Sequence, residues 1–196
     1  MRQAKVERKT EETYVKVAVN LDKPGEVKLQ VGKPFLEHML RSMAFHGSFT
    51  LEASAEEKGP VYDDHHMVED LGLVLGQALD KALGDKKGIN RFGSAVLPMD
   101  DALIMVSIDL SGRPYYRSNL RFKEPKLGEL SSEMVDHFFR SLAEGGRFNL
   151  HIVAIRGLNS HHKAEAAFKA LGRALAEAAR LREAEEKKPP SLKGVL

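Results

Sequence analysis

The sequence predicts an α+β fold made of one half-domain repeated twice, and three observations carry that expectation. First, Asp64-His65-His66-Met67-Val68-Glu69 recurs as Ser160-His161-His162-Lys163-Ala164-Glu165. Second, Glu37-His38-Met39-Leu40-Arg41-Ser42-Met43 recurs as Asp136-His137-Phe138-Phe139-Arg140-Ser141-Leu142, followed in both copies by Gly, Phe and Leu at the same separations. Third, alternating Val15, Val17, Val19, Leu21 matches alternating Ile104, Val106, Ile108, Leu110, a register that sets Glu12 against Asp101. Aligned segments in the same order indicate duplication rather than chance. Strands and helices segregate instead of alternating as βαβ units, which favours α+β over a dinucleotide-binding layout.

The elements follow in order. Alternation from Thr13 to Leu21 predicts a strand with one buried face. Lys23-Pro24-Gly25 reads as a turn, after which Val27, Leu29 and Val31 alternate again. Leu36 to Phe45 is a predicted helix ending near Gly47, and Phe49-Leu51-Ala53 a strand. Asp63 or Asp64 is expected to cap a helix that runs to Leu83 and stops at Gly84. In the second half, strands are expected over Ala102–Leu110 and Tyr115–Phe122, a helix over Ser132–Ala143 and a strand over Phe148–Ile155. Asn159 or Ser160 should cap a long helix reaching about Glu185, and Pro189-Pro190 opens an irregular tail. The boundaries read as residues 1–88, 89–186 and a tail of 187–196.

Composition narrows the function. An apolar fraction of 42% supports a core, and 30% charged residues with a net charge of +2 do not argue for a polyanion partner. Basic residues are spread, and no row of aromatic side chains suggests base stacking, so nucleic acid is not expected. No apolar run has the length of a membrane span, and no leader pattern is visible, so a cytoplasmic protein without membrane contact is expected. There is no cysteine. Any metal is therefore held by nitrogen and oxygen.

The histidines point to metal. On a helix, residues i and i+4 share a face, so His65 and Glu69 chelate together, as do His161 and Glu165. His66 and His162 lie about 100° round and point elsewhere. One such pair is a weak signal, often a surface contact; two copies, each with an adjacent and an upstream histidine, are much stronger. A self-consistent division gives one ion His65, Glu69, His162 and His137, and the other His161, Glu165, His66 and His38. Imidazoles with a carboxylate suit Mn, Fe, Co, Ni or Zn better than Mg or Ca. His151, next to Leu150 in a strand, reads as structural. His46, at a helix end, is explained as well by capping as by catalysis. Asp63, Asp64 and Asp70 are candidates to cap, to orient a ligating histidine, or to face solvent.

These and further segments resemble the imidazoleglycerol-phosphate dehydratase family of histidine biosynthesis. The marks are Arg8-Lys9-Thr10-Glu11-Glu12-Thr13, Phe35-Leu36-Glu37-His38-Met39-Leu40, Asp63 through Asp70, Pro98-Met99-Asp100-Asp101-Ala102-Leu103, Asp109-Leu110-Ser111-Gly112-Arg113, and Asn159 through Ala170. The resemblance spans essentially the whole chain in its monofunctional form. It departs at Glu37, where the family usually has Asp, at Asp101, where Glu is common, and at Leu192, often small and polar in relatives.

The resemblance implies a fold of duplicated half-domains, each a four-stranded sheet with packed helices, of the ribosomal protein S5 domain 2-like type. It implies a carbon–oxygen lyase with two Mn2+ per active site, held by His38, His65, His66, Glu69, His137, His161, His162 and Glu165. It implies a homo-oligomer of 24 subunits whose sites are shared between neighbours. The substrate is a phosphorylated imidazole, which loses water to give imidazoleacetol phosphate. On this reading the metal-bound ring becomes imidazolate and expels the C3 hydroxyl to form a diazafulvene, which makes the C2 proton acidic. Catalytic roles are implied for Glu12, His46, Glu69 and Glu165. Substrate contacts are implied for Glu12, His38, His46, His65, Arg91, Arg113, His161, Lys169, Ser191 and Lys193, with the tail folding over a site. Two other readings stay open on residues alone: a metal-dependent hydrolase or isomerase of another phosphorylated metabolite, and a metal-storing or structural cage.

Overall fold

A computed structural model describes residues 1–59, 63–182 and 190–191. The first half contains β1 (Gln3–Lys9), β2 (Thr13–Asn20), β3 (Val27–Gln30), α1 (Pro34–Gly47), β4 (Thr50–Glu57) and α2 (His65–Leu83). The second contains β5 (Phe92–Met99), β6 (Ala102–Asp109), β7 (Tyr115–Ser118), a small hairpin of β8 (Lys126–Leu127) and β9 (Leu130–Ser131), α3 (Glu133–Gly146), β10 (Asn149–Arg156) and α4 (Ser160–Ala179). Each half is a four-stranded sheet, ordered β1-β2-β4-β3 and β5-β6-β10-β7. In each, one edge strand runs parallel to its neighbour, β3 to β4 and β7 to β10, and the other pairs are antiparallel. The duplicated α+β architecture is therefore present in full.

Period-two patterning sets the layers. Val15, Val17 and Val19 on β2, and Ile104, Val106 and Ile108 on β6, are buried, while the residues between them are half-exposed. The buried faces are covered by helices. α1 and α2 lie on the first sheet and α3 and α4 on the second, but the main helix contacts cross between halves, α1 on α4 and α2 on α3. The result is sheet, helix pair, helix pair, sheet, with Leu36, Met39, Leu40, Met43, Leu71, Leu75, Phe138, Phe139 and Phe168 buried in the helical middle.

Two glycines make the helix crossings close. A Cβ at Gly172 would stand 2.9 Å from the Gly47 amide and closer to the Met43 carbonyl oxygen; one at Gly76 would collide with the Leu142 carbonyl and the Gly146 amide. These positions correspond in the repeat, so both halves use the same device.

Several boundaries differ from expectation. β5 reads poorly as a strand because it holds Gly93 and Pro98. Pro98 is tolerated on an edge strand. Gly93 lies directly beneath α4, where a Cβ would meet the Ala174 carbonyl. The strand expected to reach Phe122 ends at Ser118, and Asn119 makes the last bonds to β10, with Ile152 and Ala154. The last helix ends at Ala179 rather than near Glu185, because Arg180 turns to extended backbone. Helix capping is also redistributed. Asn159 accepts the His162 amide as expected. Asp64 makes no cap; its carboxylate takes the Lys33 ammonium (3.2 Å) and the Ser131 amide (2.8 Å), while Asp63 accepts the His65 amide. Among the described residues, no helix is long and apolar enough to cross a membrane.

Candidate metal centre

The crossed helix pairs assemble the site. α1 brings His38 to the His161 and Glu165 of α4, and α3 brings His137 to the His65 and Glu69 of α2. In each group one ligand atom per residue lies within 4.8 Å of the others. His161 Nε2 stands 3.1 Å and His38 Nε2 3.5 Å from Glu165 Oε2. His65 Nε2 stands 3.4 Å and His137 Nε2 3.5 Å from Glu69 Oε2. The i, i+4 spacing supplies two members of each group; only the crossing of the halves supplies the third.

The donor set fits a cation. Two imidazoles converge on one carboxylate oxygen without sulfur, which suits a borderline divalent ion. Among the described residues, His137 Nε2 is buried without a hydrogen-bond partner. A buried nitrogen left unpaired beside a carboxylate is costly unless something completes it, and a metal ion does so.

Within this chain, the histidines adjacent to His65 and His161 lie apart from both groups. His66 was expected beside the His161 group and His162 beside the His65 group. Instead His66 Nδ1 meets Glu12 Oε2 at 2.7 Å, and His162 Nδ1 meets Asp101 Oδ1 at 2.7 Å. The helical offset turns both rings out of their own groups. The two contacts correspond in the repeat, as Glu12 corresponds to Asp101. Asp101 also accepts the amides of Leu158 and Asn159, so it ties the start of α4 to the β5–β6 turn. Hydrogen bonds from His162 and from these amides hold its carboxyl well below the usual carboxylate range. Sequence reasoning assigned Asp101 no role; the repeat register was the available signal.

Other charged groups are already engaged. Burial pushes the Glu165 carboxyl up, but the Lys169 hydrogen bond and charge, together with His38 and His161, outweigh it and the net shift is downward. Lys169 Nζ lies 2.8 Å from Glu165 Oε1. His46, in the last turn of α1, is held below the usual imidazole range by burial and by the charges of Lys169 and Arg173. Arg91 grips Asp109 (Nε–Oδ1 2.7 Å, Nη2–Oδ2 3.2 Å) and donates to the Pro190 carbonyl at 3.0 Å, next to Ser191. Arg113 is exposed near the Ser111 carbonyl. Lys193 lies outside the described residues.

Asp70 is neither a cap nor solvated. It is buried, accepting Arg8 Nε at 2.6 Å and the Thr13 hydroxyl, and so braces the turn that carries Glu12. His151 is exposed on the outer sheet face beside Tyr115, their rings 5.4 Å apart.

The fold and site define an internally duplicated α+β metal-binding protein whose halves each complete the other's His-Glu pair. Comparison with known proteins resolves the class further. The family profile of imidazoleglycerol-phosphate dehydratase matches residues 31–175, and the chain belongs to that family. An imidazoleglycerol-phosphate dehydratase of Caldicellulosiruptor saccharolyticus is 48% identical over 194 residues, covering 98% of this chain and 97% of its own. That of Desulforudis audaxviator is 49% identical over 196 residues, covering 100% and 98%. The crystal structure of the Pyrococcus furiosus enzyme superposes with a TM-score of 0.83 at 36% identity, covering 97% of this chain and 100% of its own. The Staphylococcus aureus enzyme gives 0.81 at 37%, covering 92% and 99%.

Proposed function

We propose that the chain dehydrates imidazoleglycerol phosphate to imidazoleacetol phosphate in histidine biosynthesis, using two Mn2+ ions per active site. The observation that carries the reading is the pair of equivalent His-His-Glu groups built across the halves. Family membership supports the reaction class and the phosphorylated substrate. The ions are held by His65, Glu69 and His137 and by His38, His161 and Glu165. His162 and His66, turned outward, complete these groups on neighbouring subunits of a 24-subunit assembly.

The C2 hydrogen of the substrate is not acidic by itself. A metal ion held by these residues would supply Lewis acidity to the imidazole ring and favour its imidazolate form. The electron-rich ring then expels the C3 hydroxyl, giving a diazafulvene. Loss of the C2 proton restores the aromatic ring and gives an enol, which tautomerises to the ketone. Glu12, on the turn braced through Thr13 and Asp70 and 2.7 Å from His66 Nδ1, moves a proton at C2 or C3. His46, kept neutral by burial and neighbouring cations, serves as the second proton carrier. Arg113, Lys169, Ser191 and Lys193 contact the phosphate and chain, with Arg91 anchoring the tail through Pro190.

The test is direct. Chelation of the assembled protein should abolish formation of imidazoleacetol phosphate, and Mn2+ should restore it. Glu12→Ala should keep its metal while losing turnover by about 100-fold or more. Full turnover by thoroughly demetallated protein, or a different product, would refute the proposal.

A further inference from the structure

We infer that the two metal groups are unequal in affinity, because Lys169 occupies one oxygen of Glu165 and cancels its charge, while among the described residues Glu69 has no such partner. The inference rests on the proposed two-metal reading and goes beyond it.

The two groups match residue for residue in the repeat, so their differences stand out. Lys169 corresponds to Leu73. In the α4 group, Glu165 Oε1 is bound by Lys169 Nζ at 2.8 Å, and only Oε2 faces His38 and His161. In the α2 group, Glu69 Oε2 faces both histidines, and among the described residues no lysine or arginine forms an ion pair with Glu69. With neutral histidines, the α2 group carries a formal charge of −1. The α4 group, counting Lys169, carries zero.

Burial works in the opposite direction. The Glu165 side chain is 8% exposed and that of Glu69 40%, and a buried carboxylate attracts a cation more strongly than a solvated one. Lys169, however, is 24% exposed and in direct contact with that carboxylate. The low dielectric that strengthens the attraction of Glu165 therefore strengthens the repulsion from Lys169 as well. With like screening, net charge decides, and the α2 group is the tighter. Lys169 also limits Glu165 to one coordinating oxygen, whereas Glu69 retains two. A unit charge at this range corresponds to about tenfold or more in affinity for a divalent ion.

The experiment is titration of Mn2+ into the metal-stripped assembly, with bound metal measured directly and the assembly mass taken on the same sample. Two binding steps separated by about tenfold or more are expected. Glu69→Gln should remove the tighter step and Glu165→Gln the weaker. Lys169→Gln should strengthen the α4 step until it matches or exceeds the α2 step, and Lys169→Arg should keep it the weaker. Equal steps in the unmodified protein would overturn the inference, as would loss of the tighter step in Glu165→Gln or an unmoved weaker step in Lys169→Gln. Absence of any stoichiometric Mn2+ binding would instead be a failure of the two-metal reading itself.

Discussion

Substituting Gly172 by alanine should separate α1 from α4 and damage one metal group while sparing the other. The added Cβ would lie 2.9 Å from the Gly47 amide nitrogen, 3.1 Å from the Met43 carbonyl carbon, and nearer still to its oxygen. Carbon contacts relax at roughly 3.5 Å or more. All three obstacles are backbone, so no side chain can swing aside, and the helices must part by roughly 1 Å at the crossing. Overpacking of this kind costs about 1–3 kcal/mol, whereas alanine in a helix recovers at most about 1. The clash should win, with a net loss on the order of 1–2 kcal/mol.

His38 rides on the displaced helix. Its Nε2 lies 3.5 Å from Glu165 Oε2, and metal coordination tolerates shifts of only about 0.2 Å. The α4 group should therefore lose about tenfold or more in Mn2+ affinity, while the α2 group is unchanged. Gly76→Ala, at the α2–α3 crossing, should do the reverse. Mn2+ titration with direct metal analysis reads the affinities, and thermal unfolding of metal-free protein at fixed concentration reads the stability. If Gly172→Ala raised the melting temperature and kept both ions, the reasoning from close helix approach would fail.

Two further outcomes test the scaffold around the site. Asp70→Ala removes a charge-assisted bond to Arg8 and leaves the buried Thr13 hydroxyl short of an acceptor; urea unfolding should show a loss of about 2–3 kcal/mol, and a loss below about 0.5 would contradict its bracing role. Asp64 has a lowered folded pKa: burial opposes ionisation, but the Ser131 amide and Lys33 outweigh it. Its stabilisation should be complete above the unfolded value near 3.8 and disappear as pH falls through the lower folded value. Asp64→Asn should therefore cost about 1 kcal/mol near pH 7 and almost nothing in strong acid; a pH-independent difference would rule the ion pair out as the cause.

Much of the fold was legible because duplication repeats its own punctuation. The valines of β2 and isoleucine-valine-isoleucine of β6 alternate so cleanly that their buried faces follow directly. β5 was missed for a physical reason: its Gly93 and Pro98 look like strand breakers, yet one allows α4 to pass overhead and the other sits on an edge. The i, i+4 pairs of both metal groups were visible as helix geometry. The contacts made by His66 and His162 were not, because the residues they meet, Glu12 and Asp101, are far away in sequence. Asp70 and Lys169 were likewise ambiguous, since a charged residue on a helix looks the same whether it meets solvent or a buried partner.

The sequence by itself determined the duplication, the α+β class, the family and the ligand types, because periodicity and spacing act over a few residues and are written locally. Tertiary structure decided which helix faces which. Glycine at two crossings lets α1 reach α4 and α2 reach α3, and that exchange puts each upstream histidine beside the other half's His-Glu pair. It also set Lys169 against Glu165 and, among the described residues, left Glu69 without a cation, a difference of one charge that neither copy of the repeated motif reveals alone.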